Sequence, residues 1–173
     1  MKASVFIATS LDGYIAREDG RLDWLPGDCE PHGYEEFIAT VDAIVIGRGT
    51  FETVLGFDSW PYGKTPVFVL ASNPASIHPP ESAVCEATGG DPREIVERLE
   101  ERGVRHIYVD GGVTITRFLE AGLIDRMTIT RIPVLLGSGI PLFGSLTKDI
   151  NLKHAWTRSF PSGLVQSEYE IAR

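Results

Sequence analysis

Two glycine-containing turns each join an apolar segment to a predicted helix, and both have the residue types that bind an anion. The first contains Gly47, Arg48, Gly49 and Thr50 after the apolar run 43–46. Glycine lets a ligand approach the backbone, and free N–H groups at a helix start attract negative charge. Arg48 adds a planar cationic group that pairs with phosphates, while Thr50 can cap the helix or bind a phosphate oxygen. An ordinary strand-to-helix turn with a surface arginine is the alternative.

The second turn places Gly111 and Gly112 directly before Val113 and Thr114. Two successive glycines ahead of a helix can form a concave group of N–H donors for a pyrophosphate, although a simple tight turn is the alternative. Both turns follow strands of a predicted parallel sheet, so both lie at its carboxyl edge, where ligands bind. Two such turns in one chain favour one elongated anion that contacts both.

A third strand exit carries Ser72 and Asn73 after the apolar run 67–70. A site for NAD places an acidic residue at this kind of position to bind the ribose 2′-hydroxyl. Hydroxyl and amide donors suit a 2′-phosphate better, which favours NADPH. The two residues can equally serve to shape the turn before Pro74.

Composition and charge exclude several classes of function. The net charge of −8 argues against general nucleic-acid binding and against attachment to an anionic membrane. The four histidines and two cysteines have no metal-ligand spacing, so no metal is expected. The sequence has no apolar run of roughly 18 residues and no signal-peptide pattern. These features predict a cytoplasmic protein whose partner is a small molecule.

The length of 173 residues and the hydrophobic content of 43% fit one domain over 1–173. Strands alternate with helices and then follow one another without helices. This order predicts an α/β fold with a mixed, mostly parallel central sheet flanked by helices and a C-terminal antiparallel hairpin. Strands are predicted at 5–9, 43–46, 67–70, 83–87, 106–109, 127–133, 152–160 and 164–171. Helices are predicted at 34–40, 50–55 and 113–121, with another between Pro92 and Gly103 that Asp91 and Glu94 cap.

An ordered set of motifs resembles the dihydrofolate-reductase-like family, in particular the C-terminal reductase domain of the bifunctional riboflavin-biosynthesis deaminase-reductase. The motifs are segments 10–16, 47–50, 108–112, 133–137 and 139–143. The zinc-deaminase half of that enzyme, with its His-x-Glu and Pro-Cys-x-x-Cys motifs, is not found in the sequence. The chain therefore looks like a stand-alone relative of the reductase domain.

The resemblance implies that NADPH lies across the carboxyl ends of the central strands and that the protein is a homodimer. It also implies cofactor-binding roles: the turn of Gly47, Arg48 and Thr50 for phosphates, Ser72 for the adenosine 2′-phosphate, Gly111, Gly112, Val113 and Thr114 for the pyrophosphate, and Ala8 and Ile15 for the nicotinamide ring.

Two acids are candidates for the group that assists protonation. Segment 23–28 is similar to the Trp-x-x-Pro segment of dihydrofolate reductase, which places Asp28 near that enzyme's substrate-binding acid and Trp24 and Leu25 near the substrate. Asp12 is the second candidate, although its side chain can instead cap the turn at Gly13. The acids that compete with Asp28 are Glu30, Glu35 and Glu36, for which a solvated surface position is the simpler interpretation.

The sequence therefore predicts hydride transfer from NADPH to a small heterocyclic substrate, either pteridine-like or a ribosylamino-pyrimidine. Dihydrofolate reductase proper and a nucleotide-binding protein without turnover are the alternatives.

Overall fold

The computed structural model of the chain describes residues 1–27 and 30–172. These residues contain ten strands, which are numbered in chain order. They are β1 Lys2–Ser10, β2 Tyr14–Ala16, β3 Ala43–Gly47, β4 Val67–Leu70, β5 Cys85–Thr88, β6 His106–Asp110, β7 Arg126–Ile132, β8 Ile140–Pro141, β9 Leu152–Ser159 and β10 Val165–Ile171. The helices are α1 Tyr34–Ile38, α2 Arg48–Leu55, α3 Pro92–Glu101 and α4 Gly112–Glu120, with a 3₁₀ turn at Pro74–Ser76.

Eight of the strands form one sheet in the order β5-β4-β3-β6-β1-β7-β10-β9. The pairs from β5 to β7 are parallel, whereas β10 runs antiparallel to both β7 and β9. The predicted mixed, mostly parallel sheet with a closing hairpin is confirmed. Strand β3 forms in the centre because Ala43 to Ile46 are all apolar and mostly β-branched, and each is 0% exposed with the sheet covered on both faces.

Two hydrophobic clusters cover the two faces of the sheet. On one face, Ile95 and Leu99 of α3 and Ile115 and Phe118 of α4 pack against the central strands. On the other face, Phe51 of α2 belongs to a cluster with apolar and aromatic residues of β1, β3, β4 and β6. The predicted capping box of α3 is confirmed, since the Asp91 side chain accepts from Arg93 N and Glu94 accepts from the Asp91 N–H.

Several element boundaries differ from the prediction by one or two residues. Helix α2 begins at Arg48 instead of Thr50 because Gly47 is extended and takes the N-cap position, so Thr50 lies in the first turn and does not cap the helix. Helix α4 likewise begins at Gly112 instead of Val113, with Gly111 as its N-cap at φ 94°. The predicted strand 83–87 is shifted to Cys85–Thr88.

A short antiparallel ribbon of β2 and β8 was not predicted. Its strands have three and two residues, too few to show an alternating pattern. The ribbon lies against the start of α4: a Cβ at Gly112 would collide with the carbonyl oxygen of Pro141, and it would lie 3.5 Å from Cδ1 of Ile15. Glycine at this position therefore lets the ribbon contact the helix directly.

No helix in the described ranges has the length and hydropathy needed to cross a bilayer.

We expect Gly112→Ala to lower the free energy of unfolding by about 1–3 kcal/mol, because the added methyl group must push the ribbon away from α4. Chemical denaturation of the protein without ligand measures this. Gly49→Ala is the matched control, since a Cβ at Gly49 meets nothing within 4 Å. Gly49 lies in helix α2, where alanine is favoured over glycine. Equal stability of the Gly112→Ala variant and the wild type would contradict this packing.

Candidate active site

The two glycine turns predicted to bind an anion contact each other. Strands β3 and β6 are parallel neighbours, with Ile46 opposite Asp110, so the turns leave the sheet side by side. A Cβ at Gly111 would collide with Oγ1 of Thr50, and a Cβ at Gly47 would lie 2.8 Å from Oγ1 of Thr114. Each turn thus needs glycine because a threonine of the other helix packs against it.

Both helices at these turns begin without a side-chain cap among the described residues. In α4 the first intrahelical bond runs from Ile115 N to Gly111 O, so the N–H groups of the first turn before Ile115 are available. Thr114 can offer only its main-chain N–H to a ligand, since its side chain is buried against Gly47. The Val113 side chain is 75% exposed. Two adjacent uncapped helix starts are an arrangement that can bind an anion.

Arg48 and Ser72 lie at the exits of neighbouring strands, since Gly47 of β3 is opposite Leu70 of β4. Both side chains are exposed, and Arg48 forms an ion pair with Glu52 at 3.4 Å. An exposed ion pair on one helix is weak, so a phosphate can compete for the guanidinium. The arrangement fits a phosphorylated nucleotide that extends from the turns toward β4.

Ala8 and Ile15, the residues predicted beside the nicotinamide, are half-buried on β1 and β2. Ile15 lies beside the start of α4, as its contact with Gly112 shows. Ala8 lies opposite Thr130 of β7, two residues after Phe6 on the same face of β1. Both therefore border the carboxyl edge at which the glycine turns lie.

Asp12 joins two loops. Its carboxylate accepts hydrogen bonds from Leu136 N at 3.1 Å and Gly137 N at 2.7 Å, which lie between β7 and β8. The Ser10 hydroxyl, together with these two N–H groups, holds the pKa of the Asp12 carboxyl below its ordinary value. A carboxyl with a lowered pKa is ionised at neutral pH, so the geometry suits loop attachment better than proton donation.

The other acids predicted near the substrate occupy different settings. Asp28 lies outside the described residues. Glu30 accepts hydrogen bonds from the main-chain N–H and the hydroxyl of Ser162. Glu35 and Glu36 are exposed in the first turn of α1. Nearby, Trp24 is half-buried, and its indole N–H is buried with no hydrogen-bond partner among the described residues.

Asp110 is an acidic group that the sequence analysis did not select. It ends β6, and its Oδ1 accepts from Gly111 N at 2.8 Å. Burial raises the pKa of the Asp110 carboxyl to about 6, against the opposing effects of the Gly111 N–H and the Tyr108 hydroxyl. A carboxyl with a pKa in this range can hold a proton and deliver it near neutral pH. The available signal was its position two residues after Tyr108, which places both side chains on one face of β6.

Aromatic rings form a wall on the same face. The ring of Tyr34 lies 5.6 Å from that of Phe6 and 6.4 Å from that of Tyr108, and Phe37 stacks on Phe6 at 5.0 Å. Burial raises the pKa of Tyr34 to about 12, with the charge of Asp110 as the next cause. A wall of this kind with one carboxyl at its edge suits a planar ring that needs a proton.

No group of three or more His, Cys, Asp or Glu side chains in residues 1–27 and 30–172 is arranged to hold a metal ion.

The chain belongs to the RibD C-terminal domain family, whose model matches residues 2–166. It is 37% identical over 166 residues to the uncharacterized protein YwjB of Bacillus subtilis, covering 92% of each chain. It is 29% identical over 148 residues to the riboflavin biosynthesis protein RibD of Mycobacterium tuberculosis, covering 77% of this chain and 42% of that protein.

Solved structures agree with this assignment. A Shewanella sp. PV-4 protein provisionally named for riboflavin biosynthesis is 40% identical, with a TM-score of 0.90 and full coverage of both chains. The fold is also that of the Thermotoga maritima diaminohydroxyphosphoribosylaminopyrimidine deaminase/5-amino-6-(5-phosphoribosylamino)uracil reductase, at 16% identity, TM-score 0.74 and coverage of 99% and 56%. Enterococcus faecalis dihydrofolate reductase, solved with NADP(H), matches at 19% identity, TM-score 0.67 and coverage of 99% and 97%. The fold is dihydrofolate-reductase-like.

We expect Asp12→Asn to lower the midpoint of thermal unfolding at pH 7, because the amide offers one acceptor where the carboxylate offers two. The folded-state pKa of Asp12 is lowered, so its stabilisation is complete above the ordinary value of 3.8 and is lost as the pH falls through the folded-state pKa. The difference between the two proteins should therefore vanish in strong acid. Thermal scans from neutral to acid pH measure it, and a difference that persists at the lowest pH would contradict the role of the charge.

Proposed function

We propose that the protein is an NADPH-dependent reductase that transfers a hydride to a ribosylamino-pyrimidine. The observation that carries the proposal is the Asp110 carboxyl with a pKa of about 6, which lies directly beside two uncapped helix starts and an aromatic wall. The membership of the RibD C-terminal domain family and the name of the Thermotoga reductase support this substrate class.

The cofactor site is proposed from the donor set at the carboxyl edge. The N–H groups of Gly112, Val113 and Thr114 in the first turn of α4 hold the pyrophosphate, and Gly111 lets it approach the backbone. Arg48 and the first turn of α2, with Gly47 and Thr50, bind phosphate oxygens, and Ser72 contacts the 2′-phosphate. Ala8 and Ile15 lie against the nicotinamide ring. NADPH, when bound, supplies the hydride for the reaction.

The protein's own groups align the reactants and supply the proton. The substrate is proposed to lie against the half-buried ring of Tyr34, which with the buried rings of Phe6 and Tyr108 excludes water from one side of the substrate. The hydride forms a C–H bond at the electrophilic carbon of a carbon–nitrogen double bond, and the nitrogen takes the proton held by Asp110. Asp12 keeps the loops at this edge together, and Asp110 replaces it as the proposed proton donor.

Titration with NADPH and NADH tests the cofactor site. We expect Arg48→Ala to raise the Kd for NADPH by about tenfold to a hundredfold, because a charge-assisted hydrogen bond to phosphate is lost. The Kd for NADH should change less. Glu52→Gln is the matched control, since it releases Arg48 from its ion pair and should leave NADPH binding as tight or tighter. Absence of binding by either nucleotide would disprove the reductase proposal.

We expect Asp110→Asn to lower kcat/KM for 5-amino-6-(5-phosphoribosylamino)uracil by about a hundredfold or more, the usual contribution of a general acid. The acid must carry its proton, so the wild-type kcat/KM should fall as the pH rises above about 6, and the variant should lose this dependence. The consumption of NADPH, followed from about pH 5 to about pH 8, measures both kcat/KM and its pH dependence.

Glu35→Gln, a change at an exposed acid of α1, is the control for that experiment and should retain the wild-type pH profile. A wild-type profile in Asp110→Asn would assign the proton to another group. Turnover of dihydrofolate in place of the pyrimidine would favour dihydrofolate reductase proper, and NADPH binding without any turnover would favour a nucleotide-binding role.

A further inference from the structure

A polar row crosses the sheet from the proposed nicotinamide contact to the edge strand. Ala8 of β1 lies opposite Thr130 of β7, Thr130 opposite Gln166 of β10, and Gln166 opposite Arg158 of β9. Residues directly opposite one another share a face of a sheet, so all four side chains lie on the face that carries Phe6. The row connects the proposed active site to the far edge.

Gln166 is the centre of this row and is 0% exposed. Its Oε1 accepts from Arg158 Nε at 2.9 Å and from Arg158 Nη2 at 2.7 Å. Its Nε2 donates to the His32 carbonyl at 3.0 Å and to the Thr130 hydroxyl at 2.9 Å. The amide therefore makes all four hydrogen bonds of which it is capable, and Arg158 determines which end faces His32.

Arg158 is held in place by more than Gln166. Its Nη2 also donates to the His32 carbonyl at 2.9 Å. The guanidinium lies over the rings of Trp156 and Phe160, 5.2 Å and 5.0 Å from their centroids. A fixed guanidinium on an otherwise exposed strand thus reaches a loop that is distant in sequence.

That loop borders the proposed substrate site. The His32 ring lies 6.1 Å from the ring of Phe6, and Gly33, in the left-handed conformation at φ 87°, begins α1 with its Tyr34. A second attachment to the same hairpin lies nearby, where the Glu30 carboxylate accepts from Ser162. The segment 30–33 is therefore attached at two points to the β9–β10 hairpin.

We propose that Arg158 is a positioning residue, which acts through Gln166 and the His32 carbonyl to hold segment 30–33 and the start of α1 against the active face. Without Arg158, the His32 carbonyl loses one of its two donors, and Oε1 of Gln166 loses both of its donors. The Gln166 amide is then no longer fixed by Arg158, so the attachment of the loop is weakened. The kinetic part of this inference rests on the proposed function.

Hydrogen–deuterium exchange of the amides in 30–38 tests the attachment without any substrate. We expect Arg158→Met to speed this exchange by about tenfold, because local opening becomes easier. The exchange rate of Arg158→Lys should lie between those of Arg158→Met and the wild type, since an ammonium keeps one donor but not the planar pair. Gln166→Glu should speed exchange with Arg158 intact, because an acceptor replaces the donor that faces His32.

Steady-state kinetics with 5-amino-6-(5-phosphoribosylamino)uracil test the effect on the site. We expect Arg158→Met to raise KM by about fivefold while kcat and the Kd for NADPH stay within about twofold, since an ordered loop that borders the substrate is lost and not the reacting groups. Lys153→Met, a change of an exposed charge on the same strand, should leave every quantity at its wild-type value.

Unchanged exchange in Arg158→Met would overturn the inference. The inference would also be overturned if Arg158→Met lowered kcat and NADPH affinity together and Arg158→Lys restored neither, because that pattern indicates general destabilisation. If the wild type does not reduce the pyrimidine, the proposed function fails, and the exchange series alone decides whether Arg158 positions the loop.

Discussion

The contact between two strand-to-helix turns is the constraint on which the rest of this structure depends. Thr50 packs on Gly111 and Thr114 packs on Gly47, so the starts of α2 and α4 lie closer together than any larger residue would allow. This contact brings two uncapped helix ends to one edge of the sheet. The ribbon of β2 and β8 also lies against Gly112, so Ile15 of β2 lies beside the start of α4.

The Asp110 carboxyl, the proposed proton donor, lies where the apolar sheet meets this edge. Asp110 ends a strand whose preceding residues are buried, and it interacts with the aromatic side chains of Tyr34 and Tyr108 on that face. Burial raises the pKa of Asp110, while the first N–H of the Gly111 turn limits the rise. The Gly111 N–H at the start of this turn therefore also stabilises the ionised form of Asp110, so the proposed cofactor site and the proposed proton donor share one structural element.

Local signals in the sequence predict most of the fold and the two glycine turns. The β-branched runs, the capping box at Asp91 and the glycines after β3 and β6 each act within a few residues, so the sequence predicts them directly. The raised pKa of Asp110 could not be predicted in this way, because it depends on how the folded chain buries the carboxyl. The sequence allows Asp12 as an acid or as a local cap, whereas in the structure its carboxylate interacts with Ser10 and also accepts from Leu136 N and Gly137 N, which follow a different strand. The same limit applies to Arg158 and His32, whose contact requires the register of four strands.

The order of strands in the sheet also governs when the protein can fold during synthesis. Strand β1 lies in the interior between β6 and β7, and its first residues pair with His106 and those that follow. The ribosome therefore releases Val5 and Phe6 long before their partners exist, and β3 can pair with β4 but not with β6 in that interval. A nascent chain of this topology exposes an apolar strand until most of the sheet has emerged, which leaves that strand open to aggregation during synthesis.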